Sequence, residues 1–181
     1  GTYVAAVRRG TDARNVDDPI LRLYRAALGR SPQPAELRAW RAIRRKGVPM
    51  AVIAQVFVTS PEFGRLHGAL SNRQFAAYLA GLGRGEGPDP LVVSTWAALL
   101  DSGRVGRGRA LAITIDATAY RADAQPWVDV VALWLGLLGR APSPTETTTA
   151  IRRLAAGTPL STLATDLLSS PEYTRHITTT R

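Results

Sequence analysis

The residues best suited to chemistry in this chain are an arginine and a glutamate that each occur twice in the same setting. Arg30 closes the triplet Leu28-Gly29-Arg30, and Arg140 closes Leu138-Gly139-Arg140, 110 positions later. Glu62 and Glu172 end the triplets Ser60-Pro61-Glu62 and Ser170-Pro171-Glu172 at the same offset. Glu36 and Glu146 offer each arginine a second carboxylate, and Arg84 repeats the Leu-Gly-Arg triplet with Ala119 standing where the glutamate would be. Two kinds of chemistry follow. The guanidinium can pair with Glu62 or Glu36 and fasten helix ends together, or it can grip a ligand carboxylate or sugar hydroxyls with two parallel hydrogen bonds. A catalytic loop is needed once per chain, whereas a structural signature is needed once per copy, and Arg84 without its glutamate fits capping of helix carbonyls better than catalysis.

A second group is basic. In "LRAWRAIRRKG", Arg38, Arg41 and Arg45 fall at i, i+3 and i+7 on one helical face, a candidate contact for an anionic polymer. The matching stretch "TTTAIRRLAAG" keeps only Arg152 and Arg153, as expected of a face that is merely solvated. "SGRVGRGRA" adds Arg104, Arg107 and Arg109 in a Gly-rich turn without the lysine or spacing of a phosphate-binding loop. Trp127 is expected to open a helix at an edge, where its ring is a candidate stacking platform for sugars. His67 and His176 each trail a Ser-Pro-Glu motif and read as tail or packing residues. No cysteine is present, which excludes disulfides, thiol nucleophiles and thiolate metal sites. No nucleophile elbow, zinc-protease motif, calcium loop or marked pair of glycosidase carboxylates appears. The expectation is a chain that is not an enzyme and needs no cofactor or metal, with an accessory role in polysaccharide metabolism as the lesser option. The net charge of +9 comes from 23 basic residues, of which Lys46 alone is lysine. It favours an anionic partner, though codon bias toward arginine gives the same excess.

Repeats organise what positions these residues. Positions 23–63 and 133–173 align without a gap; Leu23, Leu28, Gly29, Arg30, Pro32, Pro34, Glu36, Gly47, Pro49, Ala54, Ser60, Pro61 and Glu62 all recur, while Tyr24 becomes Trp134 and Phe63 becomes Tyr173. A worn middle copy shows in "YLAGLGR" and "IDATAY". Each outer copy reads as successive helices. Asp18 caps and Pro19 starts the first, whose stripe is Ile20, Leu23, Tyr24, Ala27 and Leu28; Val130, Leu133, Trp134, Leu137 and Leu138 repeat it. Gly29 and Gly139 stop it. The next helix opens at Pro34 or Pro144, where Ser143 and Glu146 fit a capping box, and it ends at Gly47 or Gly157. A third begins at Pro49 or Pro159, with Thr158 as cap, and Ser-Pro-Glu starts a fourth. In the middle copy Asp89-Pro90 starts a helix that stops at Gly103. Tyr24, Tyr78 and Trp134 lie on apolar stripes and are expected in the core. No period-2 strand pattern appears, so the expected fold is all-α.

The combined pattern, aromatic-x3-LGR-x-P followed by a Gly-bounded helix pair and SPE[FY], resembles a bacterial domain family of unknown function found in secreted and surface-associated proteins. That family is similar in turn to the helical linker domain of phycobilisomes. The resemblance covers 18–66 and 128–176 closely and 73–122 loosely. It implies an α-helical scaffold, no known catalytic activity, and an extracellular or cell-envelope setting; it carries over no ligand or catalytic residues.

The reading is therefore three tandem helical units packed into one domain: an N-terminal extension over 1–17, repeat 1 over 18–67, a degenerate repeat 2 over 70–122 and repeat 3 over 126–177. The function expected is a non-catalytic interaction or scaffold module of an exported or cell-surface bacterial protein, engaged in adhesion or carbohydrate contact, with protein or polysaccharide partners. The alternative is binding of an anionic polymer, acidic polysaccharide or nucleic acid, with nucleic acid the less favoured. No apolar run is long enough to span a bilayer, and the opening "GTYVAAVRRG" lacks the hydrophobic segment of a signal peptide.

Overall fold

The computed structural model describes residues 13–83 and 87–179. Every regular element among them is helical. A π-helical turn, Ala13–Asp17, leads into α1 (Asp18–Leu28), followed by α2 (Pro34–Arg45), α3 (Met50–Val58), α4 (Pro61–His67) and α5 (Asn72–Gly81). Then come α6 (Pro90–Asp101), α7 (Arg107–Asp116), α8 (Thr118–Leu137), α9 (Pro144–Ala155), α10 (Leu160–Leu168) and α11 (Pro171–Thr179). The starts of α2, α3 and α4 recur 110 positions later as those of α9, α10 and α11.

Local chemistry sets these boundaries. Gly29, Gly47, Gly103, Gly139 and Gly157 all take positive φ at helix ends, a conformation open to glycine because it has no Cβ. At α9 the closure is a full Schellman motif: Gly157 N–H donates to the Leu154 carbonyl at 3.0 Å and Thr158 N–H to Arg153 at 2.9 Å. Thr158 thus ends α9 and does not cap α10. The cap position there is Pro159, in extended backbone and without a side-chain hydrogen bond. Ser60 Oγ accepts from Phe63 N–H, Asp89 from Leu91 N–H, and Ser143 with Glu146 forms the reciprocal capping box. Ser71 and Gln74 build a second such box at α5. Asp18 is the first residue of α1, which the π-helical turn joins directly, and it is buried.

Two compact units emerge, each spread over several segments. One comprises the described residues of Gly1–Leu21, Ser31–Arg41 and Gln125–Arg181; the other comprises those of Arg22–Arg30 and Ala42–Ala124. The first has a core of Val130, Leu133, Trp134, Leu138, Ala150, Leu163 and Ala164, ringed by partly buried leucines and Tyr173. Val130, Leu133 and Trp134 at i, i+3 and i+4 on α8, with Leu138 just past its end, supply four of these, so helical period decides what is buried. In the second, Tyr24 meets Phe57 edge to face at 4.9 Å, and Phe63 meets Tyr78 the same way at 5.7 Å. Tyr78 donates its buried hydroxyl to the Ala26 carbonyl at 2.8 Å, which satisfies the polar end of a largely apolar ring. Desolvation raises its pKa, and burial pushes the Tyr120 hydroxyl up to about 12, so both stay neutral.

The tightest packing in this unit is α3 against α7. The Gly108 backbone N–H donates to Gln55 Oε1 at 2.9 Å. A Cβ built on Gly108 would lie 2.5 Å from Gln55 N and 2.6 Å from the Ala51 carbonyl oxygen. Both are backbone atoms that cannot rotate aside, so Gly108→Ala must push the helices apart and is expected to cost roughly 1–3 kcal/mol. Gly64, in α4 with open space around its Cβ direction, is the internal control. Gly64→Ala should be neutral or stabilising by up to about 1 kcal/mol. Urea unfolding of the two variants checks the contrast; equal midpoints would refute the close approach.

Candidate functional site

In the first copy, α1 ends at Leu28, Gly29 turns the chain with φ +64°, and Arg30 projects from the corner. Glu62 occupies the first turn of α4, placed by the Ser60 cap and by Pro61 at the first helical position. Arg30 Nε donates to Glu62 Oε1 at 2.6 Å and Nη2 donates to Oε2 at 3.0 Å, a bidentate fork on one carboxylate. The guanidinium carbon also lies 5.2 Å from the Tyr24 ring centroid, within cation–π range. His67 Nε2 lies 3.0 Å from the Ala27 carbonyl, so that nitrogen carries the proton and caps the last turn of α1. Its ring packs 4.3 Å from Phe63 and 5.0 Å from Tyr78. Glu36 reaches back to accept from Gln33 N–H at 2.6 Å, half of a capping box with no serine opposite.

The second corner repeats the fork. Arg140 Nε donates to Glu172 Oε1 and Nη2 to Glu172 Oε2 at 2.9 Å. Nη1 donates to Glu146 Oε2 at 2.8 Å and to the Ala141 carbonyl at 3.1 Å, while Nη2 also donates to Glu146 Oε1 at 2.6 Å. A guanidinium has five N–H donors, and these five bonds use all of them. Glu146 accepts from Ser143 N–H at 2.7 Å as well. Hydrogen bonding to Glu146, and then to Glu172, raises the Arg140 pKa further, and the same bonds hold both carboxyls below the ordinary carboxylate range. The Trp134 indole N–H also favours the Glu146 carboxylate, although its geometry falls short of a hydrogen bond. His176 crowds this corner too: a Cβ on Gly139 would meet its ring carbon at 2.5 Å.

The remaining sequence candidates do not join these corners. Arg41 forks onto Asp17 at 2.8 and 2.7 Å, while Arg38 and Arg45 are exposed. The middle member of the basic face therefore carries its own counter-ion. Trp127 lies half-buried inside α8, which starts at Thr118 and runs through Pro126, so it does not open a helix as expected. Proline inside a helix removes one backbone bond, that to the residue four before it; continuous packing of the buried α8 stripe compensates for one such loss. Arg84 lies outside the described residues. Arg107, from the Gly-rich turn, starts α7 and donates to the Leu70 carbonyl at 2.7 Å and to Asn72 Oδ1 at 3.0 Å, over the Phe75 ring. Among the described residues no group of three or more His, Asp or Glu could hold a metal ion, and no helix is long and apolar enough to cross a membrane.

Comparison of the chain with protein families, with curated proteins and with solved structures finds no match.

The depressed Glu146 and Glu172 carboxyls fix the sign of a pH effect. A carboxyl whose pKa is lower folded than unfolded adds stability above the unfolded value, near pH 4.5, and that stability drains away as pH falls below it. Arg140→Ala is therefore expected to destabilise the chain by about 1–3 kcal/mol at pH 7, a range kept low because the pair is partly solvated. The gap from the parent should narrow steadily below about pH 4. Chemical unfolding at pH 7, 5 and 3 checks this, and a gap independent of pH would refute it.

Proposed function

We propose that the chain is a non-catalytic interaction module of an exported or cell-surface bacterial protein, making contacts with protein or carbohydrate partners through helix surfaces. The observation that carries this reading is the saturation of Arg140. The repeated residues best suited to bind or activate a substrate spend their hydrogen bonds on each other, and no donor of Arg140 remains for a ligand. Apolar side chains left exposed on the surface, among them Val52 and Val56 on α3 and Ile113 on α7, supply contact area of the kind partners use. The exported or envelope setting rests on the resemblance of the repeated motif.

The competing reading, an anionic polymer held by the Arg38/Arg41/Arg45 face, is weakened by the Asp17 fork on Arg41. A binding screen against neutral glycans, acidic polysaccharides and nucleic acid, repeated from about 50 to about 500 mM salt, separates the two. The interaction-module reading expects binding that survives added salt and is unchanged in an Arg38→Ala/Arg45→Ala double variant. Binding restricted to polyanions, falling steeply with salt and lost in that variant, would overturn it in favour of the basic face.

A further inference from the structure

Between α9 and α10, over Trp134 of α8, lies a cleft of about 280 Å³ with mostly apolar walls. Thr149 and Ala150 line one side, Leu163 and Leu167 the other. Arg153 and Asp166 also line it, joined across the two helices at 2.7 Å with both side chains roughly half exposed (42% and 51%).

The repeat shows which wall residues differ between the copies. At the positions matching Ala150 and Leu167 the first copy carries Trp40 and Phe57, two large rings. At those matching Arg153 and Asp166 it carries Ile43 and Val56. At four wall positions of one helix pair the third copy thus carries two smaller apolar side chains and an ion pair, beneath which Trp134 replaces Tyr24. Simple decay of a core would leave these changes scattered.

The chemistry of the walls selects the occupant. A sugar needs hydrogen-bond partners on several sides, but the Glu146 oxygens already accept from Arg140 and Ser143, which leaves the Thr145 and Thr149 hydroxyls of α9 on one side of a mostly apolar cleft. An anion would have to compete with Asp166 for Arg153. A flat apolar ring meets the walls with dispersion contacts and leaves any polar substituent to the ion pair. A dry cavity of about 150 Å³ lined by aliphatic and aromatic residues holds benzene in another protein, so this cleft has room for a bicyclic ring. We propose that the α9–α10 cleft is a binding site for a small planar aromatic molecule of indole size, lying against Ala150 and Leu167, the positions at which the first copy carries Trp40 and Phe57. This site stands whether or not the chain is an interaction module.

The test is a titration of the full chain with indole, followed by methyl NMR at Thr149, Ala150, Leu163 and Leu167. Saturable shifts confined to these residues are expected, with half-saturation on the order of 0.1–1 mM for a ligand this small. Ala150→Trp, restoring the first copy's residue, should fold and weaken indole binding at least about tenfold. If Ala150→Trp fails to fold, Leu167→Phe carries the same expectation of weakened binding. Glucose at the same concentrations should leave the four methyls unmoved. The proposal is overturned if indole shifts none of them, if its shifts lie elsewhere, if glucose shifts them equally, or if the folded variant binds indole as the parent does.

Discussion

The structure depends on one interaction: an arginine just past the end of one helix, bonded to a glutamate in the first turn of another. Each partner stands at the favourable pole of its own helix. The arginine faces orphan carbonyls and a negative dipole end, and the glutamate faces free N–H groups and a positive one. Pairing them joins two poles that would otherwise each need solvent. The helices bearing the glutamates, α4 and α11, have seven and nine residues. Helices this short do not persist alone in water. Their position has to come from tertiary anchors, and Arg30–Glu62 with buried Phe63, or Arg140–Glu172 with Tyr173, are those anchors.

The two corners share one plan, with a second glutamate near each arginine. Around Arg140, Glu146 both completes the α9 capping box and shares the guanidinium, so one residue fixes a helix start and a corner together. In the first copy Gln33 stands where Ser143 does, and Glu36 accepts from the Gln33 backbone N–H as Glu146 does from Ser143. Exposure near one third on both sides of each pair keeps solvent screening in play. Direction and geometry matter more here than raw Coulomb attraction.

Much of the fold was legible because its boundaries are written in local chemistry. Gly29, Gly103 and Gly157, Pro61 and Pro90, Ser60, Asp89 and Ser143 act within a turn or two of their own positions, and each does in the structure what its residue type dictates. The errors occur where distant packing decides. Thr158 has the chemistry of a cap but is consumed by the Schellman closure of α9. Trp127 follows a proline, yet the buried stripe of α8 carries the helix through it. The fork of Arg41 onto Asp17 and the contact of Gly108 with α3 leave no trace in spacing, since they depend on how helices meet. The α9–α10 cleft did have a signal, the small Ala150 opposite Trp40 in the aligned copies. It becomes meaningful only once Leu163 and Leu167 are seen facing it.

A double-mutant cycle on Arg30→Ala and Glu62→Ala, read by equilibrium unfolding at pH 7, tests the central claim most directly. If the corner organises the fold, each single variant loses stability and the pair shows a coupling of about 1–2 kcal/mol. A coupling near zero, with both single variants as stable as the parent, would contradict the account and return the arginine to the pool of residues free to bind a ligand.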